Sequence, residues 1–168
     1  FSNYEAGYNI TDYAIKKKYK KILFVTSSTN HMKTEVRGRK RLEGYIDRML
    51  KKNYKHNNFQ ISDPLDYKKS GEEIYTFYKK NKTKIDCIIT FNEMTGLGFL
   101  STAIRNNVKV PKELGIASIG NADVSNLLDF NITTINTNQH EMGKVAASKL
   151  IDRINKIKFD KRIFDVGI

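Results

Sequence analysis

The sequence holds a single cysteine, Cys87, and no apolar run near the roughly 20 residues that a bilayer-spanning helix needs. No signal peptide is visible in it, nor an internal repeat, a low-complexity tract or a flexible linker. Each absence removes a class of function. One cysteine excludes an intramolecular disulfide framework and a multi-cysteine metal site. Its place in the apolar run Ile85-Asp-Cys-Ile-Ile-Thr90 makes it a core residue and not a nucleophile. His31, His56 and His140 stand apart with no metal-ligand spacing. Gly96-Leu-Gly98 lies inside a helical pattern, not at the strand-to-helix turn of a phosphate loop. There is no Gly-x-Ser-x-Gly nucleophile turn. No catalytic constellation remains, so no enzyme, metal or cofactor is expected, and a reducing, cytoplasmic setting fits. The first residue is Phe, so the chain is expected to be cut from something longer.

What is present is apolar enough to fold. Of 168 residues 39% are hydrophobic, with 9 Phe and 9 Tyr, which suffices for one domain with a real core or for two small lobes. Against 18 Asp+Glu stand 30 Lys+Arg, a net charge of +12 that favours polyanions in general. The lysines are spread along the whole chain among many Asn and Ile residues, a pattern that coding bias explains as well as phosphate contact does. Charge alone admits a nucleic-acid partner without selecting one.

The chain alternates between two periodicities. Lys21-Ile-Leu-Phe-Val-Thr26, Ile85 to Phe91 and Leu114 to Ile119 are apolar without polar alternation, as strands buried on both faces are. Between them, helical spacing runs through residues 5–17, through Leu42, Tyr45, Ile46, Met49 and Leu50, through 72–80, and through 94–106. A further helix is expected from His140 to Ile154, and a last strand from Arg162 to Val166. Such alternation predicts an α/β fold with a parallel sheet. Ligands of these sheets bind beyond the carboxyl ends of the strands, which selects the loops Thr26–His31, Phe91–Thr95 and Gly120–Val124.

Four sites, in or beside these loops or just before the last long helix, carry candidate chemistry, each with a plainer explanation. In Glu35-Val-Arg-Gly-Arg-Lys-Arg-Leu-Glu-Gly-Tyr45, Arg41 is placed to send a guanidinium fork into the cleft, whereas a solvated helix flank explains Arg37, Arg39 and Lys40. Asn92 offers a donor and an acceptor to a hydroxyl ligand, or caps the helix that follows it. Asp123 binds ligand or caps the next turn. Thr137 and Gln139 precede the last long helix, where helix entry is the default.

Taken in order, the motifs resemble the effector domain of the LacI–GalR regulators. The resemblance is carried by Lys21-Ile-Leu-Phe-Val, Arg41-Leu-Glu-Gly-Tyr45 and Asp86-Cys-Ile-Ile-Thr-Phe-Asn92-Glu-Met-Thr-Gly-Leu-Gly98. Val110-Pro-Lys-Glu-Leu-Gly-Ile-Ala-Ser-Ile-Gly120, Ile132-Thr-Thr-Ile135 and Glu141-Met-Gly143 followed by Ala146-Ala and Leu150-Ile extend it over nearly the whole chain. It implies a periplasmic-binding-protein-like fold of two Rossmann-like lobes with parallel sheets, the N-terminal lobe only partly present. Residues 1–20 would belong to the N-terminal lobe and 21–135 to the C-terminal lobe. Residues 136–158 would be the N-terminal-lobe helix after a crossover, and 159–168 a return strand. The resemblance further implies a cytoplasmic homodimer that binds a small effector, most often a sugar, and operator DNA through a helix-turn-helix domain missing from this sequence, with no membrane contact. By position Arg41 and Asn92 match pocket residues, Glu5 falls near a polar pocket position, and Thr137 and Gln139 fall where hinge and pocket residues lie. The sequence departs from the family where Gly120-Asn-Ala-Asp123 puts Ala122 in place of the usual ligand-binding aspartate, and where Lys18-Tyr19 replaces a Gly-His pair. A solute-binding protein of a sugar transporter is the alternative reading; direct nucleic-acid binding is a third.

Overall fold

Why the apolar runs become the centre of the molecule is visible in the computed structural model, which describes residues 2–28, 35–120 and 132–157. The elements are α1 (Asn3–Lys16), β1 (Ile22–Ser27), α2 (Val36–Leu50), β2 (Asn57–Ile61), α3 (Tyr67–Lys80), β3 (Cys87–Thr90), α4 (Glu93–Arg105), β4 (Gly115–Ile119), β5 (Thr133–Ile135) and α5 (Gln139–Ile154). The five strands make one sheet in the order β2-β1-β3-β4-β5, every pair parallel. Strands β1, β3 and β4 are buried along their whole length, which is why their sequences show no polar alternation. The edge strand β2 is mostly exposed and reads as mixed. The proposed strand over 162–166 lies outside the described residues.

Helices cover both faces. On one, Tyr45 of α2 stacks on Phe24 of β1 with ring centroids 5.1 Å apart, and its hydroxyl lies 2.8 Å from the Ile22 carbonyl and 2.9 Å from the Asn57 amide that donates to it. On the other, Gly96 of α4 sits over Thr90 and Ser118, paired residues of β3 and β4. Cys87 is a free thiol in this core, 2% exposed, and burial pushes its pKa up.

Helix α1 corrects an expectation. Residues 1–20 were to belong to the other lobe, yet Ala6, Ile10 and Ala14 are buried in the same core as β1, β3 and β4. The reason is a backbone-to-backbone seam with α2. A Cβ on Gly7 would stand 1.9 Å from the Arg41 carbonyl oxygen, and one on Gly44 2.1 Å from that of Tyr4. Only glycine permits that approach, so α1 is a layer of this lobe. By contrast α5 buries none of its residues, and Leu150, Ile151 and Ile154 of its apolar stripe are exposed.

Candidate functional site

Past the carboxyl ends of β1, β3 and β4 lies a hollow of about 340 Å³, which Arg41, Asn92, Thr137 and Gln139 line together with Glu35, Glu93 and Phe91. Four of the six residues singled out from sequence thus share one space. Glu5 does not: it is an exposed first-turn residue of α1 and is not part of the lining. Asp123 lies outside the described residues, as does Ala122.

Arg41 is held there by its surroundings. Its backbone is fixed by the seam against Gly7. Its Nε donates to Asn3 Oδ1 at 2.9 Å and its Nη1 to the Phe91 carbonyl at 2.6 Å. Two of the three guanidinium nitrogens are therefore committed to aiming the group, and Nη2 makes no hydrogen bond among the described residues. Burial lowers the Arg41 pKa to about 10, which leaves it cationic at neutral pH. The neighbours in its run behave otherwise. Arg37 pairs with Glu35 at 2.7 Å, Lys40 with Glu43 at 2.6 Å, and Arg39 is exposed.

Asn92 takes the capping role that its sequence position allowed, and it also lines the hollow. It is the N-cap of α4, its Oδ1 accepting the Thr95 N–H at 2.8 Å, and this leaves its amide nitrogen to donate. Thr137 is 4% exposed, and its hydroxyl has no hydrogen-bond partner among the described residues. A buried hydroxyl ordinarily has one, so this group has both donor and acceptor capacity to give. Gln139, the first residue of α5, is exposed at the rim. Glu35 caps α2 through the Gly38 N–H; burial raises its pKa, but that bond and the Arg37 guanidinium outweigh it and hold the carboxyl below its usual range.

Two contributors escaped the sequence reading. Asn3 stands 38 positions from Arg41 and carries no local signal, and the Phe91 carbonyl is a backbone group that any residue would supply. Among the described residues no cluster of three or more His, Cys, Asp or Glu is arranged to hold a metal, and no helix is long and apolar enough to cross a membrane.

A parallel sheet wrapped by helices, with a polar hollow beyond its strand ends, defines a small-molecule-binding lobe. The chain belongs to the periplasmic binding protein-like domain family, whose pattern it matches over residues 11–166. It is similar to the NTD biosynthesis operon regulator NtdR of Bacillus subtilis, 26% identical over 155 residues that make up 92% of this chain and 46% of the relative. It is also similar to the HTH-type transcriptional repressor PurR of Photobacterium profundum, 24% identical over 97% of this chain and 48% of that one. Among solved structures the transcription regulator GntR from Chromobacterium violaceum superposes with a TM-score of 0.88 at 21% identity, covering 99% of this chain and 60% of that one. The chain spans about half the length of the curated relatives it matches. It is a partial effector-binding domain of the LacI–GalR type, as its motifs implied.

Proposed function

We propose that this chain is the effector-sensing lobe of a cytoplasmic, dimeric transcriptional regulator, most simply a repressor, and that it catalyses no reaction. The effector is a small, hydroxyl-rich molecule, a sugar or sugar derivative. The observation that carries the reading is the aimed guanidinium. Arg41 gives two nitrogens to Asn3 and Phe91 and keeps the third for the hollow that Asn92 and Thr137 also line. Arg41 and Asn92 both offer N–H donors, which suits the lone pairs of neighbouring hydroxyls, and the Thr137 hydroxyl can give or take a hydrogen bond. The exposed apolar face of α5 belongs against the other lobe of the longer protein, so a ligand touching both Arg41 and Gln139 bridges two bodies. Its differential affinity for their closed arrangement shifts how a helix-turn-helix reader elsewhere in that protein meets its operator.

A thermal-shift screen of monosaccharides, disaccharides, sugar phosphates and purines on the two-lobed protein tests this. An effector at about 100 times its Kd adds about 2.7 kcal/mol of stability, and Arg41→Ala should remove that gain. A gain that survives Arg41→Ala would move the effector out of this hollow.

A further inference from the structure

At the opposite end of the sheet from the hollow, the chain gathers positive charge. Four segments, residues 16–21, 51–56, 79–84 and 105–112, lead into β1, β2, β3 and β4 respectively. They contain fifteen of the 30 Lys and Arg residues and no Asp or Glu. All fifteen cations are exposed. Because the strands are parallel and lie side by side in the order β2-β1-β3-β4, every segment emerges at the same end. Direct contacts confirm the adjacency: Lys21 Nζ donates to the Thr83 carbonyl at 2.8 Å, and Lys82 pairs with Glu113 just past the last segment. Of these fifteen cations only Lys16, with Asp12, and Lys82 form ion pairs among the described residues. Asp86, another carboxylate at this end, accepts the backbone N–H groups of Lys20 and Lys21.

Helix polarity accounts for part of this. Cations are favoured in the last turn of a helix, where the carbonyl ends point. Lys16, Lys79, Lys80 and Arg105 sit in such turns, whereas the other eleven lie in the connections beyond them.

We propose that this pole is a binding surface for the phosphate backbone of nucleic acid, separate from the effector hollow. Fourteen of the fifteen cations are lysines, point charges on flexible stems that match phosphates without the planar fork used to read bases. With strands about 4.8 Å apart, four strand starts span about 15 Å, a length over which duplex DNA presents about nine charges. Other polyanions fit less well. Protein interfaces deplete lysine and centre on buried apolar anchors, and none of the exposed large hydrophobic side chains falls in the four segments. That same lack leaves nothing to insert into an anionic membrane.

The test is fluorescence anisotropy with a labelled 20-base-pair duplex of arbitrary sequence in 50 to 200 mM NaCl. Contact with four or five phosphates gives a log–log salt slope of about −4, so affinity falls about 250-fold across that range. The quadruple variant Lys20→Gln, Lys52→Gln, Lys80→Gln, Lys109→Gln takes one exposed cation from each segment and should flatten the slope to about −1. A control of equal charge, Lys68→Gln, Lys69→Gln, Lys144→Gln, Arg153→Gln, should leave it within about one of the parent value. Equal losses in the two variants would mean that net charge alone attracts DNA, and the pole would not be a site. Absence of binding at 50 mM, or displacement of the duplex equally well by poly-glutamate or by anionic vesicles, would also overturn the assignment. The result is independent of Arg41, so failure of the effector screen and failure of this proposal are told apart.

Discussion

Arg37 and Arg41 stand one turn apart on α2 and meet opposite fates. Arg37 is exposed at the rim of the hollow and pairs with its own helix cap, while Arg41 turns inward because Asn3 and the Phe91 carbonyl fix its fork. Sequence spacing singled out Arg41 but not what holds it, since its two partners are 38 and 50 positions away. Lys18 poses a sharper local problem. It closes α1 with φ of 72°, the left-handed region where a side chain is strained, at a position where the LacI–GalR pattern has glycine. Lys18→Gly should therefore raise stability by about 1 kcal/mol, read as a higher urea midpoint at unchanged slope. An unchanged or lower midpoint would mean that the lysine side chain returns at least what its backbone costs.

Among elements, the α1–α2 seam decides which lobe α1 joins. The apolar spacing of Ala6, Ile10, Tyr13 and Ala14 announced a buried face, which Ala6, Ile10 and Ala14 form while Tyr13 is 44% exposed; the alternation of strand and helix announced a parallel sheet, which is found. The stripe could not say against what it is buried. That information resides in Gly7 and Gly44, two residues with no side chain to pattern, whose meaning appears only when the helices touch. Gly44→Ala would drive a methyl group to 2.1 Å from the Tyr4 carbonyl and 2.7 Å from the Tyr8 amide, both backbone atoms that cannot rotate away. The helices must part, at a cost of about 3 kcal/mol, measured as lost unfolding free energy. Gly143→Ala on α5 meets nothing within 4 Å and is the matched control, expected to be neutral or slightly stabilising through helix propensity. Parting the seam also moves the Arg41 backbone, so effector affinity should fall with stability in Gly44→Ala.

At the scale of the whole molecule, charge is sorted by topology. The basic segments are interleaved with strands and helices along the chain, so the sequence presents them as a diffuse excess of lysine. Parallel pairing brings the start of every strand to one end, and the excess becomes a pole with two ion pairs among fifteen cations. Like charges so arranged repel in the folded state more than in the extended chain, and salt screens them over a Debye length of about 10 Å at 0.1 M. The sign follows: the melting temperature should rise with NaCl. Relief of 1–2 kcal/mol corresponds to about 3–6 °C for a chain of this size, between 20 and 300 mM NaCl in differential scanning calorimetry. The Lys20, Lys52, Lys80, Lys109→Gln variant should start higher at 20 mM and gain less from salt, because the repulsion has already been reduced. If melting instead falls as salt is added, stabilising ion pairs such as Arg48–Asp12, at 2.6 Å and with the Arg48 side chain 11% exposed, outweigh the pole. The opposite responses separate a charge cluster tolerated at a cost to stability from one balanced within the fold.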